Sequence, residues 1–431
     1  MTREIVTFQI GKTGVSLGHE FWKQISSEFY INPIGNLIKK KDAGAGVKAF
    51  FNEYRSSVYR PRTILIDLEP RTINILQKST HKQFYDKKSI CIGKKNIGNN
   101  WVTGFNQAFD NSTEISDIIR KNIERCDTLG GFNFFHSIGG GTGSGTTSQL
   151  LELLDQEYPK QFKNLYSIAP NQNETSDIVV QPYNSILTIR WLILYSDCVT
   201  FFENFCFEKI INQEYNDEKI YLKHINTLIS KVITNSLSHI ACQDSFNSKI
   251  ENFMAAMIPI PNLHFLFTGI SDFLIPGKMG PVKYKKKKIY DVLKNFSLDL
   301  SLENGQVLSM SHFTNEDVKK IHKSFNFECV YKNENIKFID WMPVPFQNFH
   351  VKALKNKKNQ IEDFCFLNSS CIKTFFKKTL FKYDLLKKRN AFLTNFLIEF
   401  DTKDGMELFE EAEESVKNLL DEYENFEKNP Y

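Results

Sequence analysis

A chain of 431 residues that is 41% hydrophobic and 13% aromatic can bury two or three sizeable cores, which excludes an intrinsically disordered protein. Its formal net charge of +4 is too small to indicate nucleic-acid binding. The eight cysteines stand alone without a CxxC pair, so we expect neither disulfide bonds nor a structural metal site.

Short apolar runs alternate with helical patterns over the first half of the chain, which is typical of a parallel sheet with crossover helices. Because ligands bind at the carboxyl edge of such a sheet, the loops that follow the strands are the candidate site. The predicted strands are Ile5–Ile10, Thr63–Asp67, Phe132–Ser137, Asn164–Ala169 and Cys198–Glu203. The predicted helices between them include Leu17–Phe29, Asn100–Asp110 and Ser148–Tyr158.

The second half of the chain begins with a long amphipathic pattern. Apolar residues recur over Ile220–Ile240 with a period near 3.6, which predicts a helix that packs between domains. Mixed strand and helix signals follow. The last two helical patterns are Thr374–Phe400 and an acidic helix over Glu407–Phe426. We therefore predict an α/β fold.

The strongest chemical signal is the glycine-rich run Gly139–Gly145, which has five glycines in seven residues between a strand and a helix. Glycine lets backbone amides approach phosphate oxygens closely, and the helix N-terminus behind the run favours an anion. Ser137, Thr142 and Ser144 add hydroxyl donors. No lysine follows the glycines, so this is not a Walker loop, and it fits a dinucleotide GxGxxG poorly. The alternative is a flexible turn.

Other loops at the same edge supply groups that a triphosphate needs. Gly11–Gly14 opens a helix directly after the first strand, and Gly98–Asn100 provides amides at another helix start. Asp67 and Glu69 end the second strand, where carboxylates hold magnesium through water, although surface turn acids are the alternative. Asp177 lies in a polar loop and offers a carboxylate for ribose hydroxyls.

These loops, in this order, resemble the tubulin family over essentially the whole chain. The run Gly139–Gly145 has the specific form of that family's signature. The supporting segments are Arg3–Gln9 (REIVTFQ), Asp67–Arg71 (DLEPR), Gly98–Trp101 (GNNW), Ser176–Leu187 (SDIVVQPYNSIL) and Pro261–Leu266 (PNLHFL).

Within that family the chain is most similar to the gamma-tubulins. The segments that favour this group are Glu20–Gln24, Arg71, Gln181 before Pro182, and Tyr383–Leu393. The resemblance implies a Rossmann-like parallel-sheet GTP-binding domain (1–215), a long core helix (216–243), an α+β intermediate domain (244–372) and a C-terminal helical hairpin (373–431).

The resemblance also implies roles for individual residues around GTP or GDP and Mg²⁺. Asp67 and Glu69 would face the magnesium and its water, Asp177 the ribose, and Asn204 and Asn226 the guanine edge, with Tyr221 stacked on the base. The implied phosphate-side residues are Gly11, Lys12, Thr13, Asn100, Ser137, Gly139, Gly140, Gly141, Thr142, Gly143, Ser144 and Gly145.

Three features depart from the family pattern. Lys12 and Thr13 replace residues near the phosphates and the base; Lys12 either contacts phosphate or takes part of the neutralising role of magnesium. Asn252 stands where the polymerising tubulins supply a catalytic acid to a neighbouring subunit. An amide cannot act as a general base, so we expect at most weak GTP hydrolysis. The basic run Lys283–Lys288 is either a solvated loop or a contact with an acidic neighbour.

The implied function is microtubule nucleation by a GTP-binding structural protein in the cytoplasm, on the cytoskeleton at microtubule-organising centres or spindle poles. The implied partners are gamma-tubulin complex proteins, alpha/beta-tubulin dimers and lateral copies of gamma-tubulin, with no nucleic acid or membrane. Two alternatives stay open: a self-polymerising alpha/beta-type tubulin with GTPase activity, and a nucleotide enzyme that uses His136 as its base. We favour a packed, structural His136 at the end of a buried strand.

Overall fold

The computed structural model describes residues 3–38, 46–93, 98–172, 178–215, 220–242, 250–270, 292–314, 336–339, 341–342, 344–350, 363–398 and 402–428. Contacts group the chain into two units. The first unit comprises Met1–Val199 with Phe376–Asn418, and the second comprises Thr200–Phe375 with Leu419–Tyr431. The four-part division expected from the family resemblance stays a prediction.

The first unit is an α/β structure. Its strands are β1 (Glu4–Ile10), β2 (Phe51–Arg55), β3 (Val58–Pro61), β4 (Thr63–Asp67), β5 (Ile90–Ile92), β6 (Leu129–Ser137) and β7 (Phe162–Ala169). Its helices are α1 (Gly11–Glu28), α2 (Gly46–Phe50), α3 (Pro70–Gln77), α4 (Trp101–Asp110), α5 (Ser112–Ile123), α6 (Thr147–Glu157) and α7 (Gln181–Tyr195).

Five strands of this unit form a parallel sheet in the order β7-β6-β1-β4-β5, while β2 and β3 pair as a separate antiparallel hairpin. The chain runs outward from β1 to β4 and β5, and then returns to the other side of β1 with β6. The strand order therefore reverses between β1 and β6. In a doubly wound sheet this switch point is where a ligand binds.

The sheet is held by aromatic packing between neighbouring strands. Phe8 of β1 stacks on Phe134 of β6 at 4.8 Å between ring centroids and contacts Phe132 at 5.7 Å. All three rings are buried. The high phenylalanine content thus serves the core, which fixes the relative positions of the strands whose ends carry the candidate site.

The remaining strands belong to the second unit, apart from the first two residues of β8 (Cys198–Glu203). The chain passes into this unit along β8 and continues through β9 (Phe265–Ile270), β10 (Val307–Thr314), β11 (Phe346–His350) and β12 (Asp363–Ser369). The strands β11-β10-β12-β9 are neighbours in that order, with β12 antiparallel to both β10 and β9. The helices are α8 (Asn204–Tyr215), α9 (Leu222–Cys242) and α10 (Ile250–Met257).

The C-terminal segment contains α11 (Lys373–Lys387), a single turn α12 (Thr394–Leu397) and α13 (Thr402–Lys428). Within the first unit α11 and α13 pack side by side, because Tyr383 donates to the carbonyl of Phe409 at 3.3 Å and Lys387 pairs with Glu413 at 2.6 Å. Among the helices in the described part of the chain, none is long and apolar enough to cross a membrane.

The predicted α/β parallel-sheet class is confirmed. The predicted limits of β4 and β8 are correct, and the predicted core helix corresponds to α9. The predicted helical segment Leu17–Phe29 starts too late, since α1 begins at Gly11, where Gly11–Gly14 was predicted to open a helix. The predicted helical region Thr374–Phe400 contains two helices, because a turn after Lys387 separates α11 from α12.

Candidate nucleotide-binding site

The first element of the site is the junction of β1 and α1. Gly11 has a φ of +67°, a left-handed backbone angle that favours glycine. A Cβ at Gly11 would lie 2.9 Å from the backbone nitrogen of Gly143 and 3.3 Å from Cβ of Thr142. The start of α1 is therefore pressed against the glycine-rich run, and no larger residue fits between them.

The glycine-rich run itself forms the second element. After β6 ends at Ser137, residues Thr142–Thr146 form a π-helical turn that leads directly into α6. The predicted helix start at Ser148 is therefore too late, because helical backbone begins inside the glycine run. Amides in the first turn of a helix have no intrahelical acceptor, so they are available to an anion.

The residues of the run differ in their exposure. Ser137, Gly140 and Thr142 are partly exposed, whereas Gly139, Gly141 and Gly143–Gly145 are buried. Ser144 is predicted to offer its hydroxyl to phosphate, but that hydroxyl instead donates to the carbonyl of Gly140 and, at 3.2 Å, to that of Gly141. The Ser144 side chain therefore stabilises the loop itself. Within residues 137–145, the partly exposed residues that carry a hydroxyl are Ser137 and Thr142.

His136 fixes the loop from below. Its Nδ1 lies 3.1 Å from the carbonyl oxygen of Gly143 and its Nε2 lies 2.7 Å from the hydroxyl of Ser167. Burial lowers the pKa of His136 to about 4, so the ring is neutral near pH 7. A carbonyl only accepts, so Nδ1 carries the proton and Nε2 accepts from Ser167. The packed role expected for His136 is confirmed, and it is not exposed to act as a base on a substrate.

Asn184 connects two loops of the site and was not among the predicted site residues. Its Nδ2 donates to the carbonyls of Asn99 at 2.8 Å and Gly139 at 3.0 Å, while its Oδ1 accepts from the backbone nitrogen of Trp101 at 3.0 Å. The side chain is buried. A single amide thus holds the start of the glycine-rich run against the start of α4. The only sequence signal was its place in the Ser176–Leu187 segment.

The start of α4 is the third element. Asn100 caps the helix by accepting from the backbone nitrogen of Val102 at 2.9 Å. Gly98 and Asn99 before it are exposed and both have a φ of +57°. A Cβ at Gly145 would lie 2.0 Å from the carbonyl oxygen of Trp101, so α4 packs directly on the π-helical turn. Gly98–Asn100 therefore lies beside the glycine-rich run, as predicted for a shared site.

The carboxylates that follow β4 form the fourth element. Asp67 is buried, and its Oδ1 accepts from the backbone nitrogen of Glu69 at 3.1 Å. Its Oδ2 is buried and accepts no hydrogen bond, although Thr72 lies close enough to lower the carboxyl pKa. Burial is the largest influence and raises the pKa of Asp67 to about 6, while the charge of Lys12 lowers it. The Glu69 side chain is exposed.

An unpartnered carboxylate oxygen beside an exposed carboxylate fits a hard cation such as Mg²⁺, which prefers oxygen ligands and retains water. Asp67 and Glu69 are the residues that would hold it. The influence of Lys12 on Asp67 shows that a positive charge already lies at this end of the sheet.

The geometry of these four elements agrees with the sequence comparison. Residues 4–212 match the Tubulin/FtsZ family, GTPase domain. The match covers 209 of the 431 residues and supports a GTPase domain of the tubulin superfamily in this part of the chain. Such a domain implies binding of GTP or GDP. The phosphate-side role of the glycine-rich run at the switch point of the sheet stays a prediction.

The three predicted base-side residues belong to the second unit. Asn204 is the first residue of α8, and its Oδ1 is buried without a hydrogen-bond partner. Tyr221 lies just before α9, is 61% exposed and contacts His224 edge to face at 5.6 Å. Asn226 lies in the second turn of α9 and is partly exposed. Their contact with guanine stays a prediction.

Some predicted residues lie outside what the structure describes. Asp177 and Lys283–Lys288 are outside the described residues, and so is the side chain of Asn252, whose backbone lies in α10. The ribose contact, the basic lateral contact and the missing catalytic acid therefore stay predictions.

Proposed function

We propose that this GTP-binding protein is a gamma-tubulin that nucleates microtubules. The main structural support for nucleotide binding is the close packing of Gly11 on Gly143 at the switch point of the parallel sheet. Ser137, Gly140 and Thr142 at the glycine-rich run stay partly exposed beside this packing, which supports a ligand on that side. Ser137, Gly140 and Thr142 would contact the phosphates, and Asn184 would keep the loops in register.

The nucleating role is supported by the gamma-type segments at Glu20–Gln24 and Tyr383–Leu393. In this proposal the nucleotide stabilises the fold by mass action rather than driving a turnover cycle. Its partners would be gamma-tubulin complex proteins, the alpha-tubulin end of alpha/beta dimers, and lateral copies of itself. It would act in the cytoplasm at microtubule-organising centres or spindle poles.

Counting microtubules tests the nucleating role. Purified chain, together with its complex proteins, is added to alpha/beta-tubulin below the concentration at which microtubules start unaided. We expect the number of microtubules to rise in proportion to the added protein. No increase, despite bound guanine nucleotide recovered from the same preparation, would contradict nucleation while leaving GTP binding intact.

The rival function is a self-polymerising GTPase. It is distinguished by phosphate release from the chain alone, measured over a range of protein concentrations. A polymerising GTPase releases phosphate faster per molecule as it assembles, because a neighbouring subunit completes its site. With Asn252 at the position of the catalytic acid we expect a low rate that stays proportional to protein concentration. The variant Asn252→Glu would then raise the rate only if head-to-tail assembly occurs.

A further inference from the structure

One face of α11 is used by the fold of the first unit. Phe376, Thr379 and Tyr383 are buried at the spacing of a single helical face. The Tyr383 hydroxyl donates to the carbonyl of Phe409 at 3.3 Å. The apolar contacts that hold α11 in place are therefore made on this inner face.

The opposite face of the same helix carries two further apolar side chains. Phe381 is 63% exposed and Leu385 is 43% exposed, and residues four apart lie beside each other on a helix. Lys377 precedes them by one turn. The backbone nitrogen of Lys388 donates to the carbonyl of Asp384 at 3.0 Å, so Lys388 continues the helical geometry. We call the exposed row Lys377, Phe381, Leu385 and Lys388 the 377–388 stripe.

The segment that carries the 377–388 stripe is itself strongly basic. Residues 373–389 contain seven lysines and arginines against one acidic residue, Asp384, which gives this segment a net charge of +6. Lys387 is paired with Glu413 on the inner side. Lys377, Lys388 and Arg389 are exposed, so an apolar pair lies between positive charges at both ends.

The turn after α11 adds a second observation. Asn390 has a φ of +46° and Phe392 a φ of +61°, an unfavourable conformation for a bulky residue. The Tyr183 hydroxyl donates to the carbonyl of Ala391 at 3.0 Å and so holds this turn. Phe392 is 49% exposed. The fold thus accepts backbone strain to hold a third large apolar side chain at the surface.

We propose that the 377–388 stripe docks an acidic amphipathic segment of a partner protein. That segment would place two apolar side chains, three or four residues apart, on Phe381 and Leu385, and its carboxylates against Lys377, Lys388 and Arg389. Paired exposed apolar side chains ringed by charge mark a protein-interaction surface. A membrane surface is a poorer fit, since membrane binding grows with buried apolar area and this stripe offers only two side chains.

The test is a selection of peptides displayed on phage against the full-length protein in the presence of GTP. The paired variant is Phe381→Gln with Leu385→Gln, which retains good helix formers and leaves the inner face unchanged. The matched control is Phe109→Gln, because Phe109 is 62% exposed at the end of α4, away from the stripe in sequence. Binding of the selected peptides is then measured by fluorescence anisotropy.

We expect the selected peptides to be acidic, with apolar residues at helical spacing, and to bind at least about tenfold more weakly to the double variant. Phe109→Gln should bind them as the unaltered protein does, while Lys388→Glu with Arg389→Glu should weaken binding and reduce its dependence on salt. Peptides that bind the double variant equally, or that show no acidic bias, overturn the proposal. Two further outcomes would also overturn the proposal. If the double variant no longer binds phosphatidylserine vesicles, the stripe contacts a membrane; if it no longer dimerises, the stripe contacts a second copy of the chain.

Discussion

Gly11 and Gly143 lie so close that a Cβ on Gly11 would be 2.9 Å from the backbone nitrogen of Gly143. Gly11 opens the helix after β1, and Gly143 lies in the π-helical turn after β6. The two strands flank the switch point of the sheet, so the predicted phosphate side of the site depends on this contact between two backbones.

We therefore predict that Gly11→Ala lowers GTP affinity by at least about tenfold and lowers the melting temperature. The added methyl group must push the backbone of the glycine-rich run away, and the left-handed φ adds roughly 1–2 kcal/mol for a residue with a Cβ. Nucleotide exchange with a fluorescent GTP analogue measures the affinity, and a thermal melt measures the stability.

Gly98→Ala is the matched control for that prediction. Gly98 also has a left-handed φ, +57°, but a Cβ there would meet no atom within 4 Å. It should therefore show only the conformational penalty, without the loss of affinity that comes from displacing the loop. Equal losses of affinity in the two variants would show that backbone strain alone, and not the Gly11–Gly143 contact, governs binding.

The amide of Asn184 provides a second prediction. Asn184→Asp retains the shape of the side chain but replaces its donor with a carboxylate oxygen beside the carbonyls of Asn99 and Gly139. Leaving buried groups unsatisfied costs about 1–3 kcal/mol, and more for a charge. We expect a loss of at least about 3 kcal/mol in unfolding free energy at pH 7.5.

The loss in Asn184→Asp should shrink towards pH 5, because a protonated carboxyl again donates one hydrogen bond. Asn111→Asp is the control, since the Asn111 side chain is partly exposed and makes a local bond to the carbonyl of Gln107 at 2.7 Å. It should change stability by less than about 0.5 kcal/mol. Urea unfolding at both pH values measures each variant. A pH-independent loss would argue against lost donors as the cause.

Particular residues show how far the sequence predicts this site. The strand β4 was delimited correctly because Thr63–Asp67 is a short apolar run that ends in polar residues. Gly11–Gly14 was correctly predicted to open a helix, but the periodic pattern placed the helical segment only from Leu17. The glycines give the first turn of α1 poor helix propensity, which packing against the glycine-rich run overrides. Asn184 was missed because a lone amide in a helix carries no local sign of its two distant acceptors. Ser144 was assigned to phosphate because its hydroxyl direction is not readable from sequence.

A third prediction concerns the start of β1. Glu4 and Arg62 form a buried ion pair, and each makes a further bond: Glu4 accepts from the backbone nitrogen of Thr128 at 2.9 Å, and Arg62 donates to the carbonyl of Arg125 at 2.9 Å. Arg62→Met leaves a buried carboxylate uncompensated, so we expect a loss of about 3–5 kcal/mol in unfolding free energy.

Arg120→Met is the matched control for Arg62→Met. Arg120 pairs with Asp117 and Glu124, but its side chain is 55% exposed, and exposed ion pairs contribute little to stability. Chemical denaturation of both variants provides the comparison. A loss in Arg62→Met no larger than that in Arg120→Met would show that water reaches the Glu4 carboxylate.

The fourth prediction concerns Asp67, whose pKa is raised by burial to about 6 from 3.8. A carboxyl with a raised folded-state pKa favours folding most when it is protonated. Its contribution therefore declines as the pH rises from 3.8 to about 6, and above that the full penalty of roughly 3 kcal/mol remains. Asp67→Asn removes this penalty. Without magnesium at pH 7.5 the variant should melt at a higher temperature than the unaltered protein.

Magnesium should reverse that order in the presence of saturating GTP, because a bound cation favours the ionised Asp67 carboxylate. We expect added Mg²⁺ to raise the melting temperature of the unaltered protein more at pH 7.5 than at pH 5, and to raise that of Asp67→Asn little at either pH. Asp117→Asn, which changes an exposed carboxylate, should respond like the unaltered protein.

Lys12→Gln removes a charge that lowers the pKa of Asp67, so the pH at which the magnesium effect appears should shift upward. Equal magnesium effects in Asp67→Asn and the unaltered protein would show that Asp67 does not hold the cation.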